Sequence, residues 1–133
     1  MKNVQKTPVE ELAPGDRNLE ESTFNFDHGY VDVAVRMLYY AVFHYEKALL
    51  SSRGTQTKSH KQTHVQFRRL FIRERLVDGR VNGLITELQE ARAGADYGFS
   101  PEVSNEELAG YIEEVRQFRD RCRQLIQIDP AEP

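Results

Sequence analysis

The chain has 133 residues, 39% of them hydrophobic, and a formal net charge of −3. That length supports one domain with its own apolar core, and the single cysteine, Cys122, excludes an internal disulfide framework. No apolar run approaches the roughly 20 residues that cross a bilayer, and no amino-terminal signal pattern is present, so a soluble cytoplasmic protein with no membrane partner is expected.

The net charge hides an asymmetry. Between Arg53 and Arg80 stand eight basic residues and only two acids, Glu74 and Asp78, a local balance of +6 that leaves −9 in the rest of the chain. Such a division fits a side that faces a polyanion, and it fits equally a solvated basic face offset by acidic helices elsewhere.

Residues 1–15 are polar and interrupted by Pro8, Pro14 and Gly15, and read as a flexible arm with at most one turn around Pro8 to Leu12. Asp16 can cap a short first helix from Arg17 to about Asp27, ended by Gly29, with the thin apolar content of Leu19, Phe24 and Phe26. The next stretch organises the chain. From about Tyr30 to Ser52, Val31, Val35, Leu38, Val42, Tyr45 and Leu49 fall on one stripe of a helix, flanked by Ala34, Ala41 and Ala48. The other side gathers Arg36, Tyr40, Phe43, His44 and Lys47, with Tyr39 bridging the two faces. A helix this apolar on two sides must be covered on two sides, by a further helix or by a second copy of the chain.

Gly54 fits the carboxy-terminal cap of that helix, and Ser59 the amino-terminal cap of a third running to about Arg75. Its apolar material is Val65, Phe67, Leu70, Phe71 and Ile72, with the basic residues on the remaining face. After the Asp78-Gly79 turn, a fourth helix from Arg80 to about Tyr97 carries Val81, Leu84, Leu88, Ala91 and Ala95 at helical spacing. Ser104 and Glu107 form a capping-box pattern for a fifth helix with Leu108, Tyr111, Val115, Phe118, Cys122 and Leu125 as its stripe. No strand pattern occurs. The expected class is all-α, an antiparallel up-and-down bundle of four to five helices over residues 16–128, with 129–133 as a tail.

Three constellations could carry chemistry. Arg92 lies about 40° from the Leu88 position, with Asp96 one turn on to accept a charge-assisted bond and Tyr97 beside it, an arrangement that also fits a brace at the bundle end. Arg36, Tyr40 and His44 at i, i+4 and i+8 form a strip where a phosphate held by Arg36 would lie near an ionisable imidazole. His60 and His64 have the i, i+4 spacing of metal ligands, but no third ligand accompanies them, so reading phosphate beside Lys61 fits them better and no metal or cofactor is expected. Phosphate-cradling glycine loops, dinucleotide fingerprints and Gly-x-Ser-x-Gly elbows are absent.

The run Ala34-Val-Arg36-Met-Leu-Tyr39-Tyr40-Ala41-Val-Phe43-His44 resembles the second helix of small stand-alone proteins of the HEPN superfamily. The likeness continues in order through Ala48-Leu49-Leu50, Ser59-His60-Lys61, Phe67 and Arg92-Ala-Gly-Ala95-Asp96-Tyr97-Gly98 to a final helix with Phe118. It implies a helical bundle that pairs as a homodimer, often encoded beside a minimal nucleotidyltransferase in toxin–antitoxin-like systems. Many members are metal-independent ribonucleases with an Arg-x(4–6)-His motif at the dimer cleft. This sequence departs from that motif, because Tyr, Gly and Phe occupy positions 97 to 99 after Arg92, and His44 lies one residue beyond the permitted distance from Arg36.

Three readings follow. In the first, the chain is a dimeric nucleotide- or RNA-binding module with a nucleotidyltransferase partner, its ligand contacts drawn from Arg36, Tyr40, Tyr97, His60, Lys61, Arg68, Arg69 and Arg73. In the second it is an active ribonuclease toxin using Arg92, Asp96 and His44. In the third it is a structural interaction protein whose Arg36, Tyr40 and Phe43 face is the dimer seam.

Overall fold

The computed structural model describes residues 7–96, the last two by backbone alone, and residues 103–127. The described residues form five α-helices: α1 (Pro8–Asp27), α2 (Val31–Ser52), α3 (His60–Phe67), α4 (Arg80–Asp96) and α5 (Asn105–Gln127). No strand occurs among the described residues, and no helix among them is long and apolar enough to cross a membrane. The all-α bundle expected from the sequence is the fold observed.

The first helix begins earlier than its breakers suggest. Thr7 and Glu10 form a reciprocal capping box, in which the Thr7 hydroxyl accepts from the Glu10 amide at 3.1 Å and the Glu10 carboxylate accepts from the Thr7 amide at 2.9 Å. Pro8 takes the first helical position, where no amide is needed. Residues 8–15 are therefore helical and not part of an arm, and Pro14 is carried inside the helix at the cost of one backbone bond. Gly15 serves packing. It is buried against Tyr45, and a Cβ there would stand 2.7 Å from the Tyr45 ring. The pair that looks like a breaker is where α1 comes close to α2.

Gly29, at a φ of +83°, turns the chain into α2, and the buried Ser22 hydroxyl of α1 donates to the Ala34 carbonyl at 2.7 Å. Tyr45 then ties three helices, since its hydroxyl donates to Asp16 Oδ1 at 2.6 Å while Asp16 Oδ2 accepts from Arg123 of α5 at 2.9 Å. α2 packs against all four other helices. Eleven of its residues are buried, among them Val35, Leu38, Val42, Tyr45 and Leu49 of the expected stripe, but also Tyr39 and Glu46 on the second side. Further helices of the same chain cover that second side over much of its width.

Ser59 caps α3 as expected, its hydroxyl accepting from the Gln62 amide. The helix does not continue regularly to Arg75. Arg68–Ile72 form a π turn, whose Phe71 stacks at 5.9 Å on Phe67 at the end of α3, both fully buried, and Arg75 closes the segment at a φ of +60°. The capping box of α5 is present, Ser104 and Glu107 each accepting from the other's amide at 3.0 Å. Its buried stripe is Leu108, Ile112, Val115, Phe118, Cys122 and Ile126, so Ile112 and Ile126 replace the half-buried Tyr111 and Leu125 of the sequence reading.

The Gly15 contact gives a direct test of α1. Gly15→Ala should destabilise the fold by about 1–3 kcal/mol through overpacking on Tyr45, although alanine is the better helix former. Urea unfolding monitored by circular dichroism measures it, and an unchanged or raised midpoint would show that Tyr45 yields freely.

Candidate functional site

α2 turns Tyr39, Phe43 and Glu46 toward α3, because residues seven apart on a helix differ by only about 20°. α3 answers with His60 and His64, one turn apart on its inner face. The Tyr39 hydroxyl lies 2.9 Å from His60 Nδ1 and 2.9 Å from His64 Nε2. On its far side, His64 Nδ1 is 2.9 Å from Glu46 Oε2. Four side chains thus form one continuous hydrogen-bonded row: Glu46, His64, Tyr39, His60.

Its inner end is dry. Glu46 is 0% exposed, His64 3% and Tyr39 1%, whereas His60 is half-buried and opens on a pocket. α4 contributes the rest of that pocket, which Tyr39, Tyr40, His60, Gln89 and Arg92 line around a volume of about 470 Å³. The Arg92 guanidinium sits 4.8 Å from the Tyr39 ring centroid and 5.8 Å from that of Tyr40, while Phe43 stacks on His60 at 4.0 Å. Aromatic faces hold both the cation and the imidazole in place.

The electrostatics follow from burial. Desolvation pushes the Glu46 carboxyl up from the ordinary carboxylate range, against the opposing His64 bond and the Arg68 charge. Tyr39 is raised by burial, with Arg92 pulling the other way, so it stays a phenol at neutral pH. His60 is lowered from 6.5 by burial first and then by Arg92, His64 and Lys47, which keeps the ring neutral at pH 7. For the arrangements in which each ring carries one proton and the Tyr39 proton stays within the row, the bonds have two senses. In one, His60 Nδ1–H donates to Tyr39, Tyr39 to His64 Nε2, and His64 Nδ1–H to the Glu46 carboxylate, which leaves His60 Nε2 with a free lone pair. In the other, a protonated Glu46 donates to His64 and every bond reverses.

Of the residues singled out in the sequence, the structure gathers Tyr40, His60 and Arg92 into one pocket. It does not bring His44 there. Five residues past Tyr39 place His44 about 140° round α2, where it is half-buried with its ring 5.7 Å from that of Phe43. The imidazole beside Arg92 in this chain is His60 of α3. Arg36 is half-buried a turn earlier on α2, outside the lining of the pocket. Lys61, Arg69 and Arg73 are exposed, Arg69 donating to Gln66, and Arg68 is half-buried. Asp96 ends α4, but its side chain and all of Tyr97 lie outside the described residues.

Sequence reading passed over Glu46 and Gln89 as site residues, and took His64, with His60, as a reader of phosphate, whereas the structure buries it between Tyr39 and Glu46. A glutamate among Tyr45, Ala48 and Leu49 of a buried helix was the available signal, because a buried carboxyl needs a partner. Both nitrogens of the buried His64 and Nδ1 of His60 are taken up in the row. Among the described residues no group of three His, Cys, Asp or Glu side chains is placed to hold a metal ion.

In this helical bundle α3 and α4 place a histidine and an arginine on the wall of one pocket, against the tyrosines of the central helix. The chain belongs to the HEPN domain family, whose profile matches residues 12–125. It is similar to two proteins of Methanocaldococcus jannaschii: "Putative toxin MJ0605", 29% identical over 84% of this chain and 82% of the relative, and "Putative toxin MJ0142", 26% identical over 86% and 78%. It is also similar to a UPF0332 protein of Thermotoga maritima, 29% identical over 71% of each.

The field at His60 can be checked by titration. The midpoint of its protonation should lie below the ordinary 6.5, and Arg92→Ala should move that midpoint upward by removing one opposing charge while burial remains. Histidine ring NMR shifts followed against pH report both; an Arg92→Ala protein with an unmoved midpoint would show that the guanidinium does not act on the ring.

Proposed function

We propose that this HEPN protein binds RNA and cleaves it without metal at the Arg92 pocket, with His60 in the place of the missing motif histidine. The observation that carries the reading is His60 on the pocket wall with Arg92, its Nδ1 2.9 Å from the Tyr39 hydroxyl; in the sense of the row in which Nδ1–H donates, the Nε2 lone pair is left for a substrate. His60 would take the proton of a 2′-hydroxyl, O2′ would attack phosphorus, and the P–O5′ bond would break, giving a 2′,3′-cyclic phosphate and a 5′-hydroxyl. The Arg92 guanidinium would stabilise charge on the phosphorane oxygens. The exposed Lys61, Arg69 and Arg73, with Arg68, would hold the flanking backbone. The names of two relatives support a toxin role, and the resemblance to stand-alone HEPN proteins supports a homodimer with a nucleotidyltransferase partner.

A second reading, RNA or nucleotide binding without turnover, is favoured by the residues after Arg92, where Tyr, Gly and Phe stand in place of a histidine. One assay separates the two. Incubated with single-stranded RNA in excess chelator, the wild type should yield cyclic-phosphate ends, and His60→Ala should reduce the rate by about 10²–10⁴, the ordinary worth of a general base. No cleavage by the wild type would leave the binding reading.

The basic segment is tested separately. Neutralising Arg68, Arg69 and Arg73 together should weaken RNA binding and flatten its dependence on salt, since fewer counterions are released. Unchanged affinity at several salt concentrations would remove these arginines from the interface.

A further inference from the structure

Glu46 is the group that RNA binding and base catalysis at His60 leave unused. It is fully buried, has one hydrogen bond, to His64, and its second oxygen, Oε1, has no hydrogen-bond partner among the described residues. Two further links of 2.9 Å join it through Tyr39 to a ring at the pocket wall. A buried brace would need only the first of these bonds. A row that alternates carboxyl, imidazole, phenol and imidazole, with every member able both to give and to accept a proton, has the composition of a proton wire.

We propose that Glu46, His64 and Tyr39 form a relay that carries a proton taken up at His60 Nε2 to the buried Glu46 carboxylate, so that His60 acts as a base without becoming a cation beside Arg92. This rests on the reading of His60 as the base. Each step is balanced. The substrate hydroxyl proton binds His60 Nε2, the His60 Nδ1 proton passes to the Tyr39 oxygen, the Tyr39 proton to His64 Nε2, and the His64 Nδ1 proton to Glu46 Oε2. Both histidines end neutral with their tautomers exchanged, and only Glu46 has changed charge. The departing 5′-oxygen takes its proton from solvent, and the row resets by passing the Glu46 proton back to His60 Nε2 and out to water.

The surroundings favour this route over a charged ring. His60 faces the cations Arg92 and Lys47, so an imidazolium there is opposed from α4 and from α2. Glu46 faces His64 on α3, Arg68 on the π turn and, from α5, the buried Cys122 thiol. Tyr39 faces Arg92 and Tyr40 as well as Glu46. Burial raises the affinity of Glu46 for a proton, which suits a terminal acceptor, and Arg68 moderates it.

The test reads the ring nitrogens directly and needs no RNA. With 15N-labelled histidine, acidification should convert His60 and His64 together from the Nδ1–H to the Nε2–H tautomer while both stay neutral. Tyr39→Phe cuts the row, and should leave His64 responding to Glu46 while His60 no longer changes tautomer. Glu46→Gln should abolish the joint conversion and lower kcat about tenfold or more with KM little changed. His60 passing straight to imidazolium in the wild type, with the His64 tautomer fixed, would overturn the relay. The two ideas fail differently: cleavage without tautomer exchange removes the relay alone, whereas exchange without cleavage removes the ribonuclease reading and leaves the proton-transfer row intact.

Discussion

Everything distinctive in this structure depends on a glutamate placed where water cannot reach it. Glu46 lies on the central helix of the bundle at 0% exposure, and its one hydrogen bond is the 2.9 Å contact with His64. A fully buried carboxyl costs several kcal/mol unless it is paired or protonated. The fold meets that demand by bringing α3 across α2 in a register that sets His64 over Glu46. The same register, two turns earlier on α2 and one turn earlier on α3, puts Tyr39 and His60 together. A single electrostatic requirement inside the core therefore fixes the position of an imidazole at the surface.

This explains why a short helix with a poor apolar face can be held so definitely. α3 is eight residues long, and only Thr63, His64 and Phe67 are buried. Isolated helices of that length are marginal in water. Here the π turn adds Phe71 to Phe67 in the core, and the polar row supplies directional bonds at the other end. Hydrophobic burial gives α3 its affinity for the bundle, and the hydrogen bonds select one register.

The architecture was legible in the sequence to the extent that it followed from periodicity and caps. The two-sided α2, the Ser59 and Ser104 caps and the turns at Gly29 and Gly54 all read correctly, because each is local. Pro14-Gly15 misled for an equally physical reason: a glycine that allows close approach to Tyr45 looks the same in sequence as a glycine that ends a helix. The stripe of α5 was displaced at Tyr111 and Leu125 because neighbouring apolar residues compete for the same face, and only packing decides between them. For the site, Arg92, Tyr40 and His60 were legible as chemistry-bearing residues. Their meeting was not, since Tyr39 and His60 are separated by 21 residues and a turn of chain. His44 attracted attention by its place in the Arg36-Tyr40-His44 strip, yet five residues of helix rotate it away from the side that Tyr39 faces.

No histidine stands at positions 97 to 99 after Arg92, and the imidazole that shares a pocket with that arginine comes from another helix. A histidine on the same helix as its arginine would take its geometry from backbone spacing alone. His60 takes it from a tyrosine on a second helix and a cation on a third, so its ring is oriented at Nδ1 and stacked by Phe43 before any ligand arrives. Orientation of this kind reduces the reorganisation required in a transition state. It also makes the ring sensitive to the core: any change at Glu46 or His64 reaches the pocket through Tyr39. Glu46 and His64, which do not line the pocket, are thereby coupled through Tyr39 to the protonation of the ring that does, a coupling that a buried ion pair serving stability alone would lack.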